Sequence, residues 1–529
     1  MKRIPTAVIV CLLVCAGVGC LIRAASATYL PQERIPTDSP VYRDLERLAT
    51  RYRVSAAFLY TRPIRRIAAR GYLEELARTV PGSAEDPAYR RAMRFLDETA
   101  PGGVRPLIRA EGDEGERLEI SPYASFLYSE DTRYNPEINR DYRVGLVFAA
   151  QLDTSSVIVA DFYEGTASQG GRGTPDFGDF NSLVEGVNFN SWVNEAYIDF
   201  PISKIRFLFG RTWLRWGPGQ TGTLAHSHDA PALDLLGAGA RFGPFRYEQF
   251  VSLLDPGPQT YLAGHRLDWQ AGGGVSVGLT EMARFDGTSQ ALLYMIPFVP
   301  YSFWEKRPKT GGVSPDDSTG EQLRKNNVMW AADVSWVAAP GWRVFGEFLL
   351  DDYSFSSDYK PDMFGYQAGV DWRRALGGAL GGPGGGALGA MVEYTRVHNF
   401  TYSVYHNHDF EVHGFPTGYV LGPDVQRLSG ELTLEYGASW ELAGRAEWTR
   451  KGEGSVGDPW LKEEGEVDAS EFQGVVEKDV RVMGRVTYSP MRAVRLQATA
   501  GYGEVENWRH AAGADENGVP FTLSARLEW

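Results

Sequence analysis

The sequence predicts an all-β transmembrane barrel of about 18 antiparallel strands, with a small N-terminal α-helical bundle. Three observations lead there. From Leu118 to Trp529, many segments of about ten residues alternate apolar and polar side chains. The connections between them alternate long and short. An export signal opens the chain, yet nothing later approaches the roughly 18 consecutive apolar residues of a membrane helix.

The signal comes first. Met1-Lys-Arg is a basic n-region, Ala7 to Ile22 an apolar run, and Ala25-Ser-Ala27 a small-x-small site, which predicts removal of residues 1–27. Lipidation of Cys20 in VGC is a second reading, but Gly17 stands where Leu is usual. Cys11, Cys15 and Cys20 are the three cysteines of the chain. All would leave with the signal, so the processed chain has no disulfide and no cysteine metal site. Cleavage removes three bases (Lys2, Arg3, Arg23) and no acid, taking the formal charge from -14 to -17. Such an acidic balance argues against nucleic acid as a partner. The 60 glycines and 12% aromatics fit a β-barrel rich in tight turns and interfacial rings.

Between Thr28 and Arg117 the period is helical. Ser39 is placed to cap, Pro40 to occupy N1, and Val41, Leu45, Leu48 and Tyr52 recur at three- and four-residue steps. A second helix is expected over Ile64 to Thr79, burying Ile67, Leu73 and Leu76, and a third over Pro87 to Glu98. Ala110 to Glu116, rich in Gly and acid, reads as the linker out of the bundle. Residues 28–117 are thus expected as a periplasmic helical bundle and 118–529 as the outer-membrane barrel.

Beyond Arg117 the period becomes two. Leu428, Leu432 and Leu434 alternate with Arg427, Ser429, Glu431 and Glu435; Val480, Val482 and Val486 with Arg481 and Arg485; Leu523 and Leu527 with Ser524 and Arg526. A soluble sandwich alternates too. Strand length decides for the membrane, because globular strands are usually about five or six residues. Short connections are expected at Asp153 to Ser155, Pro201 to Ser203, Gly243-Pro244, Gly273, Ala339 to Gly341, Gly437-Ala438 and Pro490. The Gly-rich Gly377 to Gly386 is an unusually long turn on that side, or alternatively an interdomain linker. Long loops lie between, such as Gly165 to Asn188, Thr212 to Leu235, Asp286 to Asn326 and Lys451 to Glu477. This parity requires ALLYMIPFVPYSFW, Ala291 to Trp304, to belong to a loop rather than a strand. It also turns Glu431, Glu435, Glu441, Arg445, Glu447, Arg481, Arg485, Arg495 and Arg526 into the lumen, where mixed charge can pair or be hydrated. The C-terminal aromatic after an alternating strand is similar to the signal read by the barrel-insertion machinery. That machinery and the outer-membrane lipid are expected partners.

One long loop carries the chemistry that a turn does not need. RTWLRWGPGQTGTLAHSHDAP, Arg211 to Pro231, holds two Trp, three Gly and an H-x-H pair. Its Trp216-Gly-Pro-Gly219, Gly222-Thr-Leu224 and Ala230-Pro231, with GHRLDWQ (264–270), EFLLDD (347–352), EYTRVHNFTY (393–402) and GYVLGPD (418–424), are the matching residues. On these, in this order, the chain resembles the capsule assembly family of outer-membrane proteins typified by Wzi. DLERLA and RPIRRI, within 44–76, resemble the family's N-terminal helices more weakly. His226-Ser-His228-Asp229 departs from the polar Ser/Asn run expected before Ala230. The resemblance implies an eighteen-stranded barrel with a periplasmic bundle, without catalysis or cofactor, that attaches or organises capsular or extracellular polysaccharide at the cell surface.

The residues give that implication a physical basis. Sugars present apolar CH faces and rings of hydroxyls, so Trp213, Arg215 and Trp216 suit them, with Gly217 and Gly219 permitting close backbone approach. The competing reading is that this loop simply plugs the barrel. His226 and His228, and His398, His406, His408 and His413 in a second loop, suggest a metal, but no spacing fixes a third and fourth ligand; they read as solvated. The acidic loop Gly452 to Glu477 likewise reads as a solvated face. A lipase or deacylase using Ser227 beside the histidines is the enzymatic rival, although G-x-S-x-G is absent. A diffusion porin is the stronger rival, differing only in whether a continuous water path exists.

Overall fold

The computed structural model describes residues 30–54, 58–96, 106–113, 115–129, 140–165, 190–257, 259–305, 326–352, 361–377, 385–404, 408–461 and 467–528. The expectations for the signal at 1–27, for Trp529 and for His406 fall on residues outside that set.

Eighteen long strands close into one antiparallel barrel. They are β1 (Arg117–Ser129), β2 (Arg140–Gln151), β3 (Val157–Gly165), β4 (Asn190–Ile202), β5 (Ile205–Thr212), β6 (Leu233–Phe242), β7 (Phe245–Asp255), β8 (Thr260–Gly272) and β9 (Val275–Asp286). The circuit continues with β10 (Asn327–Ala339), β11 (Trp342–Asp352), β12 (Met363–Leu376), β13 (Gly386–Val397), β14 (Val425–Tyr436), β15 (Trp440–Lys451), β16 (Glu477–Met491), β17 (Val494–Glu506) and β18 (Phe521–Glu528). Each pairs with its sequence neighbours, and β18 closes on β1 with Leu523 opposite Tyr128 and Leu527 opposite Ala124.

The alternation fixes which face looks out. Leu428, Leu432, Val480, Val482 and Val486 are exposed on the outer wall, while Ser429, Glu435, Glu447 and Arg481 between them are buried within. Aromatic pairs ring both ends of the apolar band, Phe245–Trp269, Trp342–Trp372 and Trp440–Tyr488 toward the short turns, and Phe348–Phe364 and Tyr366–Tyr394 toward the long loops. No helix among the described residues is long and apolar enough to cross a membrane; the crossing elements are strands.

Most expected turns are where the parity places them. Two differ. β16 runs past Pro490 to Met491, so that turn falls at Arg492–Ala493. Ile108–Glu111 pairs antiparallel with Arg117–Ile120, so the expected linker is partly a hairpin on the first half of β1, and Arg109 and Arg117 both pair with Glu111. Ala291 to Trp304 contains no strand, and its loop forms two short helices, Thr288–Tyr294 and Ser302–Glu305.

The N-terminal segment forms α1 (Pro40–Tyr52), α2 (Arg66–Thr79) and α3 (Pro87–Leu96). Ser39 caps α1, its hydroxyl accepting from Val41 N at 3.4 Å, and Arg53 ends the helix in the left-handed conformation. Val41, Leu45, Leu48, Leu73 and Leu76 form a shared core with Ala88 and Ala92. Ile67 does not join it. It is 45% exposed, because Ala69 and Tyr72 occupy the inner stripe of α2.

These helices fill the barrel mouth at the short-turn end. Gly341 N donates to Thr50 O at 2.8 Å, Arg94 reaches Ala438 O and Pro490 O, and Gln32 reaches Thr154 O. Their arginines meet the inward acids of the wall. Glu435 is contacted by Arg91 at 2.5 Å, Arg51 at 3.3 Å and Arg47 at 3.8 Å, all but Arg91 nearly inaccessible to water. Glu441 takes Arg47 at 2.8 Å and Arg485 at 3.2 Å. Removing one partner of a buried pair typically costs about 3–5 kcal/mol, since the other charge is left without compensation. Glu435→Ala should therefore loosen the helices from an intact barrel, read as faster amide exchange or proteolysis over 40–96 with the heat-modifiable gel shift of the barrel retained.

Candidate functional site

After β5 the chain turns into the lumen instead of outward. Arg215–Trp216 pairs antiparallel with Thr61–Arg62, Gly217 N donates to Tyr60 O at 2.9 Å, and Trp216 N to His226 O at 2.9 Å. A loop from one end and the N-terminal segment from the other thus meet as a two-stranded ribbon inside the barrel. Wall carboxylates hold the loop by its backbone. Glu347 accepts from Gly219 N at 2.7 Å and Leu224 N at 2.8 Å; Glu393 accepts from Gln220 N at 2.6 Å and Thr221 N at 2.9 Å. Tyr402 OH donates to Leu224 O at 2.8 Å.

This approach explains the glycines. Gly217 has φ +131°, and a Cβ there would lie 2.4 Å from Glu347 Oε1; one at Gly219 would lie 2.0 Å from Gln367 Oε1. The glycines admit wall side chains to the backbone. Trp216 is 3% exposed and packs edge-on to Phe250 at 5.4 Å, and Arg215 is buried with its guanidinium donating to Gly219 O. Of the five expected contact residues, Arg215, Trp216, Gly217 and Gly219 are therefore buried in the plug, and Trp213 is half-buried.

The H-x-H pair diverges. His226 is fully buried beside Trp216 and Phe250, contrary to the solvated reading, because the loop carrying it folds into the lumen. Burial pushes its pKa down to about 4. His228 is half-buried, 4.0 Å from Asp229. Ser227 donates its hydroxyl to Asp229 at 3.0 Å rather than to either histidine. His408 is also buried, 3.0 Å from Asp286. Among the described residues no three or more His, Cys, Asp or Glu gather as a metal would require. In the acidic loop Glu453, Asp468 and Glu471 are exposed, as a solvated face would have them, while Asp424 accepts from Gly454 N and Gln473 N and ties the backbone at those two points to the rim.

Above the ribbon, toward the long loops, lies a polar pocket of about 340 Å³. Gln220, Thr221, His228 and Asp229 form its floor, and Arg427, Arg445, Glu447, Asp479 and Arg481 of β14–β16 its wall. Arg445 lies 2.6 Å from Glu447, which Arg427 also contacts, and Arg481 lies 2.7 Å from Asp479. Planar guanidinium and carboxylate groups already fixed by one another present the remaining donors and acceptors in set directions, as vicinal hydroxyls require. The alternation had turned Arg445, Glu447 and Arg481 inward, but not Asp479, Gln220 or Thr221 into the same place. Period two reports the face of a residue and not its height in the lumen. Only the register between strands places Arg481 opposite Glu447.

No family model matches the sequence, and no curated protein proves similar to it. Solved structures do match. Wzi of Escherichia coli, an outer-membrane protein involved in group 1 capsule assembly and described as a carbohydrate-binding β-barrel, aligns over 94% of this chain and 99% of its own at 15% identity, with a TM-score of 0.62. That share is too large for the barrel alone, so part of the N-terminal segment is matched too. OccD3 and OprD of Pseudomonas aeruginosa each align over 80% of this chain, with 93% and 97% of theirs, at 8% and 9% identity and TM-scores of 0.43 and 0.41. The resemblance read from the motifs holds as one of fold, and that fold is an outer-membrane barrel.

The buried imidazole gives a pH test. An unfolded histidine titrates near 6.5, whereas His226 in place stays neutral down to about 4. Protonation therefore favours the open loop. Stability of the 213–232 segment should be full above about pH 6.5, fall progressively below it and level off beneath about 4, after a loss of about 3 kcal/mol in total. Amide exchange of that segment reads it, and His226→Phe should flatten the dependence.

Proposed function

We propose that this chain is an occluded outer-membrane barrel that binds capsular or extracellular polysaccharide at its long-loop face and organises it at the cell surface without catalysing a reaction. The observation that carries this reading is the lumen. Segments from both ends meet there in a β-ribbon, which supports an occluded lumen over a conduit, and a polar pocket opens beside it toward the long loops. Wzi, with the same fold, is described as carbohydrate-binding.

In this reading the short turns and the helices of residues 28–117 face the periplasm, the barrel of 118–529 spans the lipid, and residues 1–27 are the export signal. An even strand count returns both ends of the barrel to one side, which supports that orientation. Arg215, Trp216, Gly217 and Gly219 serve by shaping the loop that presents Gln220, Thr221 and His228, while the half-buried Trp213 keeps part of its face available. Arg445, at 26% the most accessible of the pocket arginines that pair with acids, is the foremost sugar contact.

Arg445→Ala and Arg481→Ala should each weaken saccharide binding about tenfold, the loss of one charge-assisted hydrogen bond, with the barrel still heat-modifiable. A glycan array followed by calorimetric titration measures this. Failure of the folded wild-type chain to retain any capsular or exopolysaccharide would overturn the proposal.

A further inference from the structure

The uncharged stretch that the strand parity assigned to a loop lies against the outside of the barrel. On β7, β8 and β9, Phe245, Trp269 and Leu279 are exposed on the outer wall, and the same alternation turns Tyr247, Gln249, His265, Glu281 and Phe285 outward. A carboxylate, an imidazole and an amide on that wall break the apolar rule, and the loop covers them. Glu281, fully inaccessible, accepts from Tyr301 N at 2.8 Å and Ser302 N at 3.2 Å, and lies 2.9 Å from His265 Nε2. Gln249 donates to Met295 O at 2.6 Å, and Tyr247 OH accepts from Phe298 N at 3.1 Å. Tyr294 stacks on Phe285 at 4.0 Å.

The covered patch sits level with the apolar band. Val251 pairs across β6 with Leu236, and Glu281 across β10 with Trp330; both partners are outward and exposed, at 44% and 40%. From Gly287 to Trp304 the chain has no charged residue. The side chains it turns away from the barrel are Leu292 at 77% exposure, Phe303 at 66%, Phe298 at 60% and Ile296 at 40%. An aqueous loop has no use for that pattern, and a lipid-facing wall requires it.

We propose that residues 287–304 form a membrane-embedded elbow, seated in the half of the bilayer next to the long loops, whose partner is the hydrocarbon chains of that leaflet. The polar cluster of Gln249, His265 and Glu281 is its attachment. Its hydrogen bonds go to loop backbone groups that lipid cannot satisfy. The elbow therefore replaces bare strand as the lipid surface over three strands. This inference is independent of any sugar bound in the lumen.

Residues 28–529 contain no cysteine, so Leu292→Cys and Phe303→Cys can carry a single fluorophore in the full barrel, reconstituted in phosphatidylcholine vesicles. Leu279→Cys on the bare wall and Ala512→Cys in an exposed loop are the references. Labels at 292 and 303 should lose fluorescence to nitroxides on the lipid chains and none to aqueous iodide, as at 279. Quenching by iodide alone, as at 512, would overturn the proposal. So would density-dependent disulfide formation between unlabelled Leu292→Cys chains with loss of lipid quenching, which would assign the face to a second copy.

Discussion

A charge inside a barrel has lipid a few ångströms behind it and must find its counterpart in the lumen. The structure depends on that constraint. Glu435 and Glu441 on the wall are compensated by Arg47, Arg51 and Arg91, which arrive on the helices from outside the sheet. Glu46 on α1 is compensated by Arg62 and by Arg343 of the wall. Arg34 and Arg206 share Asp199. Neither the wall nor the plug is electrostatically complete alone, and each uncompensated charge would cost several kcal/mol. Barrel and N-terminal segment behave as one electrostatic unit.

The same logic extends to the backbone. A loop inside the lumen carries N–H groups that must be satisfied, and Glu347 and Glu393 accept them in pairs. The ribbon between residues 61–62 and 215–216 then joins what entered from each end. Toward the long loops, a polar and reachable recess remains above it. Pocket and plug are thus two outcomes of neutralising one crowded interior, and the proposed role needs no element beyond those the fold already requires.

Much of this was legible in the sequence. Period-two alternation located the strands and their inward charges, long and short connections gave their parity, and Ser39-Pro40 marked the start of α1. The motifs GHRLDWQ, EFLLDD, EYTRVHNFTY and GYVLGPD contain Asp268, Glu347, Glu393, Tyr402 and Asp424, the side chains that clamp the plug and rim. The burial of His226, the hairpin at Ile108–Glu111 and the exposure of Ile67 were not legible, since each depends on what packs against the element rather than on its own pattern. The outer-wall cluster lies between these cases. Gln249, His265 and Glu281 at apolar parity are a visible anomaly, but only three strands read in register show that they are neighbours and that one uncharged loop is long enough to cover them.

The occluded lumen is the central claim, and ion conductance of the purified wild-type chain in a planar bilayer tests it most directly. Interlocked segments predict insertion without a steady open-channel current across the physiological voltage range. A stable ohmic conductance at each insertion event would contradict the account, because ions would then be passing where the ribbon is placed.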